Sequence, residues 1–311
     1  MTRAALRTAF ERRWRGLHGN TRGAIWLLIS GLMTTIQGAM VKQLGPELHT
    51  LQVVFLRCAF GAAILLPFAL SRGLARMATG RFRLHLLRAV ISIFSMGSAF
   101  FALARLPLAD AIAYAFTVPL FMIPLAVLML GEPVRWRRWT ATGIGFLGVV
   151  LMARPGGAID IAIPVALFGA FATALVYIVV KRLAATERVL TVMTYFTLLG
   201  SLFALGPALA VWRAPTETQF LLLFFIGLMG TLSQLFAVHA WIVGEATAVA
   251  PFDYSRLLYA AVIGYAFFGE VPDLYAAAGV ALIVASTLYI ARREAALRRK
   301  TASEKPVEAS A

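Results

Sequence analysis

The sequence predicts an all-α integral membrane protein of ten transmembrane helices, arranged as two inverted five-helix repeats. Three observations carry this prediction: an unusually apolar composition, ten separate apolar runs of bilayer-spanning length, and motifs that recur once in each half. Of 311 residues, 60% are hydrophobic and 14% are charged, whereas a soluble domain is about half apolar and a quarter charged. The mean hydropathy of +0.82 agrees. About 20 apolar residues cross a bilayer as a helix, so ten crossings and short loops account for the whole length.

The apolar runs cover residues 23–42, 50–70, 84–104, 108–130, 137–153, 160–181, 190–211, 219–241, 247–268 and 274–291. Lipid offers no hydrogen bonds to an unpaired backbone, and no run shows the alternation of a barrel strand, so each is expected to be a helix. Turn formers separate them, at Gly45-Pro46, Gly131-Glu132-Pro133, Arg154-Pro155-Gly156-Gly157, Ala214-Pro215 and Gly269 to Pro272. The first run follows a basic segment but has full spanning length and no evident cleavage site, so it reads as a span rather than a leader. Residues 1–22 and 292–311 are basic tails, and 23–153 and 160–291 are the two repeats.

A net charge of +15 raises the question of nucleic acid, but the distribution of the cations answers it. Twelve of the 29 Lys and Arg residues lie in the tails, and most others fall in the breaks between runs. With the N-terminus in the cytoplasm, 22 cations are cytoplasmic and four, Lys42, Arg105, Arg154 and Arg213, face the other side. That asymmetry is how an inner-membrane protein sets its orientation, with both termini cytoplasmic. The partners expected are therefore a lipid bilayer and a small organic solute, not nucleic acid, and the oligomeric state is left open. The single cysteine, Cys58, lies in an apolar run and can form no intramolecular disulfide.

Leu130-Gly131-Glu132 returns as Phe268-Gly269-Glu270 at an offset of 138, Met40 to Leu44 returns as Val179 to Leu183 at 139, and Pro67 returns as Pro207 at 140. The repeat unit is five spans. Five is odd, so the second copy enters the membrane upside down, the architecture of alternating-access carriers with a site near midplane.

The segments Ala109 to Pro133 and Thr247 to Val271, each ending in Gly-Glu, resemble the EamA branch of the drug/metabolite transporter superfamily, as does Pro251-Phe252-Asp253-Tyr254. The resemblance covers residues 23–291, and Val41 to Arg57 looks closest to bacterial members linked to uptake of S-adenosylmethionine or riboflavin. It implies a secondary carrier of small organic solutes that works without ATP or a cofactor. The halves differ where a site would lie. Arg57 answers to Thr197, and Tyr254 and Arg256 answer to Phe116 and Val118.

Charges within spans cost roughly 2.5–3.5 kcal/mol at midplane, so each calls for a partner or a function. Arg256 and Asp253 sit one turn apart on one helix face, with Pro251 nearby to bend the helix. Together they form either a substrate-holding pair or a structural ion pair. Arg57 lacks a local acid, and Arg88 reads as an anchor at the cytoplasmic end of its span. Gln37, Gln234, Tyr114, Tyr177, Tyr254, Ser255 and Tyr259 are mid-span polar groups suited to hold an organic solute. His239 is a candidate for proton coupling. Glu132 and Glu270 close spans four and nine, where the helix dipole disfavours an anion, so a neighbouring helix or gate contact must hold them.

Gly143, Gly145 and Gly148 match a dinucleotide fingerprint by spacing, but they lie inside an apolar helix and suit close helix packing instead. Metal ligation and catalysis have no carrier in this sequence: His49 and His239 have no Cys or acid beside them, and no catalytic motif appears. Two other functions fit the same features, a proton-driven exporter of amino acids or toxic compounds, and a non-transporting membrane sensor or assembly subunit.

Overall fold

Segments this apolar must satisfy their backbone groups internally. In the computed structural model, which describes residues 17–71, 73, 77–130, 136–153 and 160–303, the described residues form helices and no strand. The first half contains α1 (Gly19–Leu44), α2 (Thr50–Ser71), α3 (Phe82–Arg105), α4 (Leu108–Ala115), α5 (Val118–Leu130) and α6 (Trp136–Met152). The second half contains α7 (Ala162–Ala184), α8 (Val189–Ala210), α9 (Glu217–Val243), α10 (Ala246–Val249), a 3-10 turn (Ala250–Tyr254), α11 (Ser255–Phe268) and α12 (Leu274–Ser303). Glu132 and the rest of 131–135 lie outside the described residues.

Eight segments are long and apolar enough to cross a membrane: α1, α2, α3, the run Leu108–Met129, α7, α8, α9 and the Leu274–Arg292 part of α12. The two remaining expected spans are shorter. Helix α6 has 17 residues, about 26 Å at the helical rise against a core of about 30 Å. The run 247–268 is divided among α10, the 3-10 turn and the 14 residues of α11.

The chief packing partners are α1 with α9, α3 with α7, α2 with α8 and α6 with α12. Exchanging the halves maps the α1–α9 contact onto the α7–α3 contact and returns the other two pairs to themselves. The α6–α12 seam is built on small residues: a Cβ at Gly148 would stand 2.7 Å from the carbonyl oxygen of Gly279. Close packing explains Gly145 and Gly148, whereas a Cβ at Gly143 would meet nothing within 4 Å.

Ties between the halves hold both ends of the bundle. At one end the buried side chain of Gln52 donates from Nε2 to the carbonyl of Arg213 (2.7 Å) and accepts the Arg213 N–H at Oε1 (3.1 Å). At the other, Thr79 Oγ1 donates to Glu187 Oε1 (2.6 Å), and Arg81 Nη1 donates to the carbonyl of Arg182 (2.9 Å).

Candidate functional site

The apolar runs 108–130 and 247–268 are each interrupted, at positions that match between the halves. Helix α4 ends where the Phe116 N–H turns back to Ala113 O (3.0 Å) and the Thr117 N–H to Tyr114 O (3.1 Å). The Thr117 hydroxyl also donates to Tyr114 O (2.6 Å). In the second half the break is the 3-10 turn, with Pro251 near its start. A proline has no N–H to donate, and 3-10 geometry within a helix marks a hinge or functional site.

The two breaks meet. Phe116 and Tyr254, which share a repeat position, stack with ring centroids 4.8 Å apart and planes 14° apart. The Arg256 guanidinium lies over the same Phe116 ring at 4.8 Å and pairs with the Asp253 carboxylate. Tyr254 is held from behind by a 2.6 Å hydrogen bond between its hydroxyl and that of Thr287 on α12. Gly31 of α1 makes room for this group, since a Cβ there would stand 3.0 Å from Arg256 Cγ and 3.1 Å from Ser255 Oγ, with Tyr259 at 3.7 Å. Both members of the charged pair are about a quarter exposed. Tyr177, on α7, is 55% exposed.

The other expected site residues fall in different places. Tyr114 is buried in the apolar cluster that contains Phe116. Gln234 is half-buried on α9 beside Ser233, whose hydroxyl bonds that of Thr34 at 2.8 Å and whose carbonyl accepts from Ser30 at 2.8 Å. The exposed His239 ring packs edge-on against Trp26, 5.5 Å away. Gln37 and Arg57 converge on Gly230 of α9: a Cβ there would meet Gln37 Nε2 at 2.7 Å and Arg57 Nε at 3.1 Å. Arg57 lies 5.3 Å over the ring of Phe196, and Arg88 lies 4.8 Å over the same ring. Arg88, expected to anchor a helix end, is instead 4% exposed and donates from Nη1 to the carbonyl of Val192 (2.7 Å).

Glu270 has the partners that its position demands. Gly269 adopts a left-handed conformation (φ 65°) and ends α11, and the Glu270 N–H turns back to Gly264 O (3.0 Å). This turn directs the carboxylate to the N-terminus of α4, where Oε2 accepts the Leu108 N–H (2.7 Å), and to Lys42 Nζ, 2.7 Å from Oε1. Lys42 also donates to the carbonyl of Leu106 (2.6 Å). The dipole of α4 and the lysine offset the unfavourable dipole of α11. Beside this contact lies a cavity of about 120 Å³ whose lining includes Ala109, Asp110 and Gly264.

Phe116, Phe196, Thr287 and Lys42 are the residues that sequence reasoning left outside the site. For Phe116 a signal existed, because positions that match across a twofold repeat can meet on its axis.

The sequence profile of the EamA-like transporter family matches residues 21–154 and 160–292. An S-adenosylmethionine uptake transporter of Rickettsia prowazekii is 32% identical over 269 residues, 86% of this chain and 92% of that protein. A riboflavin transporter of Rhizobium johnstonii is 31% identical, over 90% of this chain and 94% of that one. A pseudopaline exporter of Pseudomonas aeruginosa is 27% identical, over 87% and 96%. Apolar helices of spanning length, two matching halves and relatives named as transporters agree: the chain is a multi-pass membrane transporter, not an enzyme, and belongs to the EamA-like transporter family.

Proposed function

We propose that the chain is a secondary active transporter that moves a small organic metabolite across the cytoplasmic membrane by alternating access. In this proposal ten helices cross the membrane as two inverted five-helix halves, with both termini in the cytoplasm. The observation that carries it is the meeting of two interrupted helices at Phe116 and Tyr254, since discontinuous helices at matching positions are where carriers of this design bind solute. Asp253, Tyr254, Arg256, Tyr259 and Tyr177 form one wall of the site. Gln37, Arg57 and Gln234 form another on α1, α2 and α9, with Tyr114 supporting Phe116 from within the core. Aromatic rings beside an ion pair suit a planar heterocycle that carries charged groups.

The Lys42–Glu270–Leu108 contact joins α1 and α4 of the first half to α11 of the second. On the proposed orientation it lies on the outer side and acts as a latch that opens when the halves rock. Glu132 takes the matching role at the inner side. His239, exposed on α9, is the proposed proton-coupling group.

Counterflow in proteoliposomes tests the function, with S-adenosylmethionine, riboflavin, amino acids and nucleotide sugars as the panel. Exchange of one solute, lost in Arg256→Ala protein that still inserts, is the expected result. Full exchange by the variant would remove Arg256 from the site. Absence of exchange across a broad panel by stable protein would favour a non-transporting role.

A further inference from the structure

Within the transport proposal above, the charges are not equally available to a solute. Asp253 neutralises Arg256. Arg57 has no such partner: it is 7% exposed, its Nε and Nη1 have no hydrogen-bond partner, and no described carboxylate forms an ion pair with it. Another cation, Arg88, lies over the same Phe196 ring. Arg88 Nε also lacks a partner, as does the buried hydroxyl of Thr231 next to Gly230. Contact with the ring face recovers part of the cost of burying a guanidinium but supplies no lone pair to its N–H groups. Unpartnered donors and net positive charge in a low-dielectric interior are an arrangement that a bound anion completes.

We propose that Arg57 is the receptor for an oxyanion of the transported solute, a carboxylate or a phosphate. Nε and Nη1 of Arg57 donate to the oxyanion, and the Gln37 amide, which meets Arg57 at Gly230, adds a neutral donor. Phe196 forms the floor. Arg88 is a positioning residue: its Nη1 is committed to Val192, it holds Phe196, and its charge raises the local potential. The solute then lies with its charged end at Arg57 and its remaining groups toward the Phe116–Tyr254 stack. On α1, Gln37 and Gly31 mark these two ends, about 9 Å apart along the helix axis. The solute class this defines is a metabolite with an oxyanion at one end and a flat, polar ring system at the other.

Saturation-transfer NMR on the purified full-length chain tests the assignment without any transported solute. Sodium propionate and methylphosphonate serve as probes for a carboxylate and a phosphate source. Wild-type protein is expected to saturate at least one probe. Arg57→Gln should bind it about tenfold or more weakly, since both charge-assisted hydrogen bonds are lost. Arg57→Lys, which keeps the charge but not the fork, should retain part of the binding and serves if the glutamine variant does not fold. Arg105→Gln controls for the loss of an arginine stacked on a ring, since Arg105 lies 4.4 Å over Phe101 outside the site. It should behave as wild type. No saturation of either probe by wild-type protein, or equal saturation in the Arg57 variants, would overturn the proposal. Failure of counterflow with every solute would overturn the transport function while leaving the propionate result intact, so the two are distinguishable.

Discussion

Replacing Glu270 by Gln removes one charge from the Lys42–Glu270–Leu108 contact while keeping its shape. The two side chains are only 14% and 19% exposed, so the pair is largely shielded from water. Breaking a buried pair by removing one partner costs about 3–5 kcal/mol, because the other charge is left uncompensated. Partial exposure and the acceptor retained by Gln for the Leu108 N–H reduce this to about 2–3 kcal/mol. If the contact exists only when the outer side is closed, the closed state loses that amount and the open population rises by roughly 30- to 150-fold. The chain's one cysteine, Cys58, is buried, which makes accessibility simple to measure. In a Cys58→Ala background, a cysteine at Ala109 in the neighbouring cavity reports opening by its reaction with a membrane-impermeant maleimide added outside. The labelling rate should rise at least tenfold in Glu270→Gln. An unchanged rate in folded variant protein would refute the latch, and no external labelling under any condition would refute the orientation.

Two further substitutions probe what holds the halves together. Gly148→Leu places side-chain atoms where the carbonyl of Gly279 already stands, so the α6–α12 seam must spread. Thermal unfolding should register a loss of about 1–3 kcal/mol, and an unchanged midpoint would mean that the seam is loose. Gln52→Leu removes both hydrogen bonds that the buried Gln52 side chain makes to the Arg213 backbone. A loss of about 1–3 kcal/mol is expected, and Gln52→Glu, which sets a carboxylate oxygen against the Arg213 carbonyl, should lose at least as much in the same assay.

Most helices were legible in the sequence to within a few residues; α12 continues twelve residues beyond the expected 291, and two breaks fall inside expected helices. The break at Phe116 lies within an apolar run and has no marker in the sequence, whereas the one after Val249 coincides with Pro251, which the sequence did mark as a bend. Hydropathy reports where a residue partitions, not whether its N–H reaches the carbonyl four residues back. Within the candidate site, Asp253 and Arg256 were legible because their separation is one helical turn and their contact is local. Arg57 and Arg88 were not legible as neighbours, since they join through Phe196, over a hundred residues away in sequence.

The sequence by itself determined that this chain lives in a bilayer, where most of its helices begin and end, how its cations are distributed, and that its halves match. Each follows from the interaction of a local stretch of chain with lipid or water, which needs no knowledge of distant residues. Only the tertiary structure decided that the two interruptions face one another at Phe116 and Tyr254, that Glu270 rests on the N-terminus of α4, and that Arg57 is left with unpaired donors. Lipid solvates every apolar helix face alike. What brings particular faces together is close packing and the few buried polar groups seeking partners, and those partners are set by the fold.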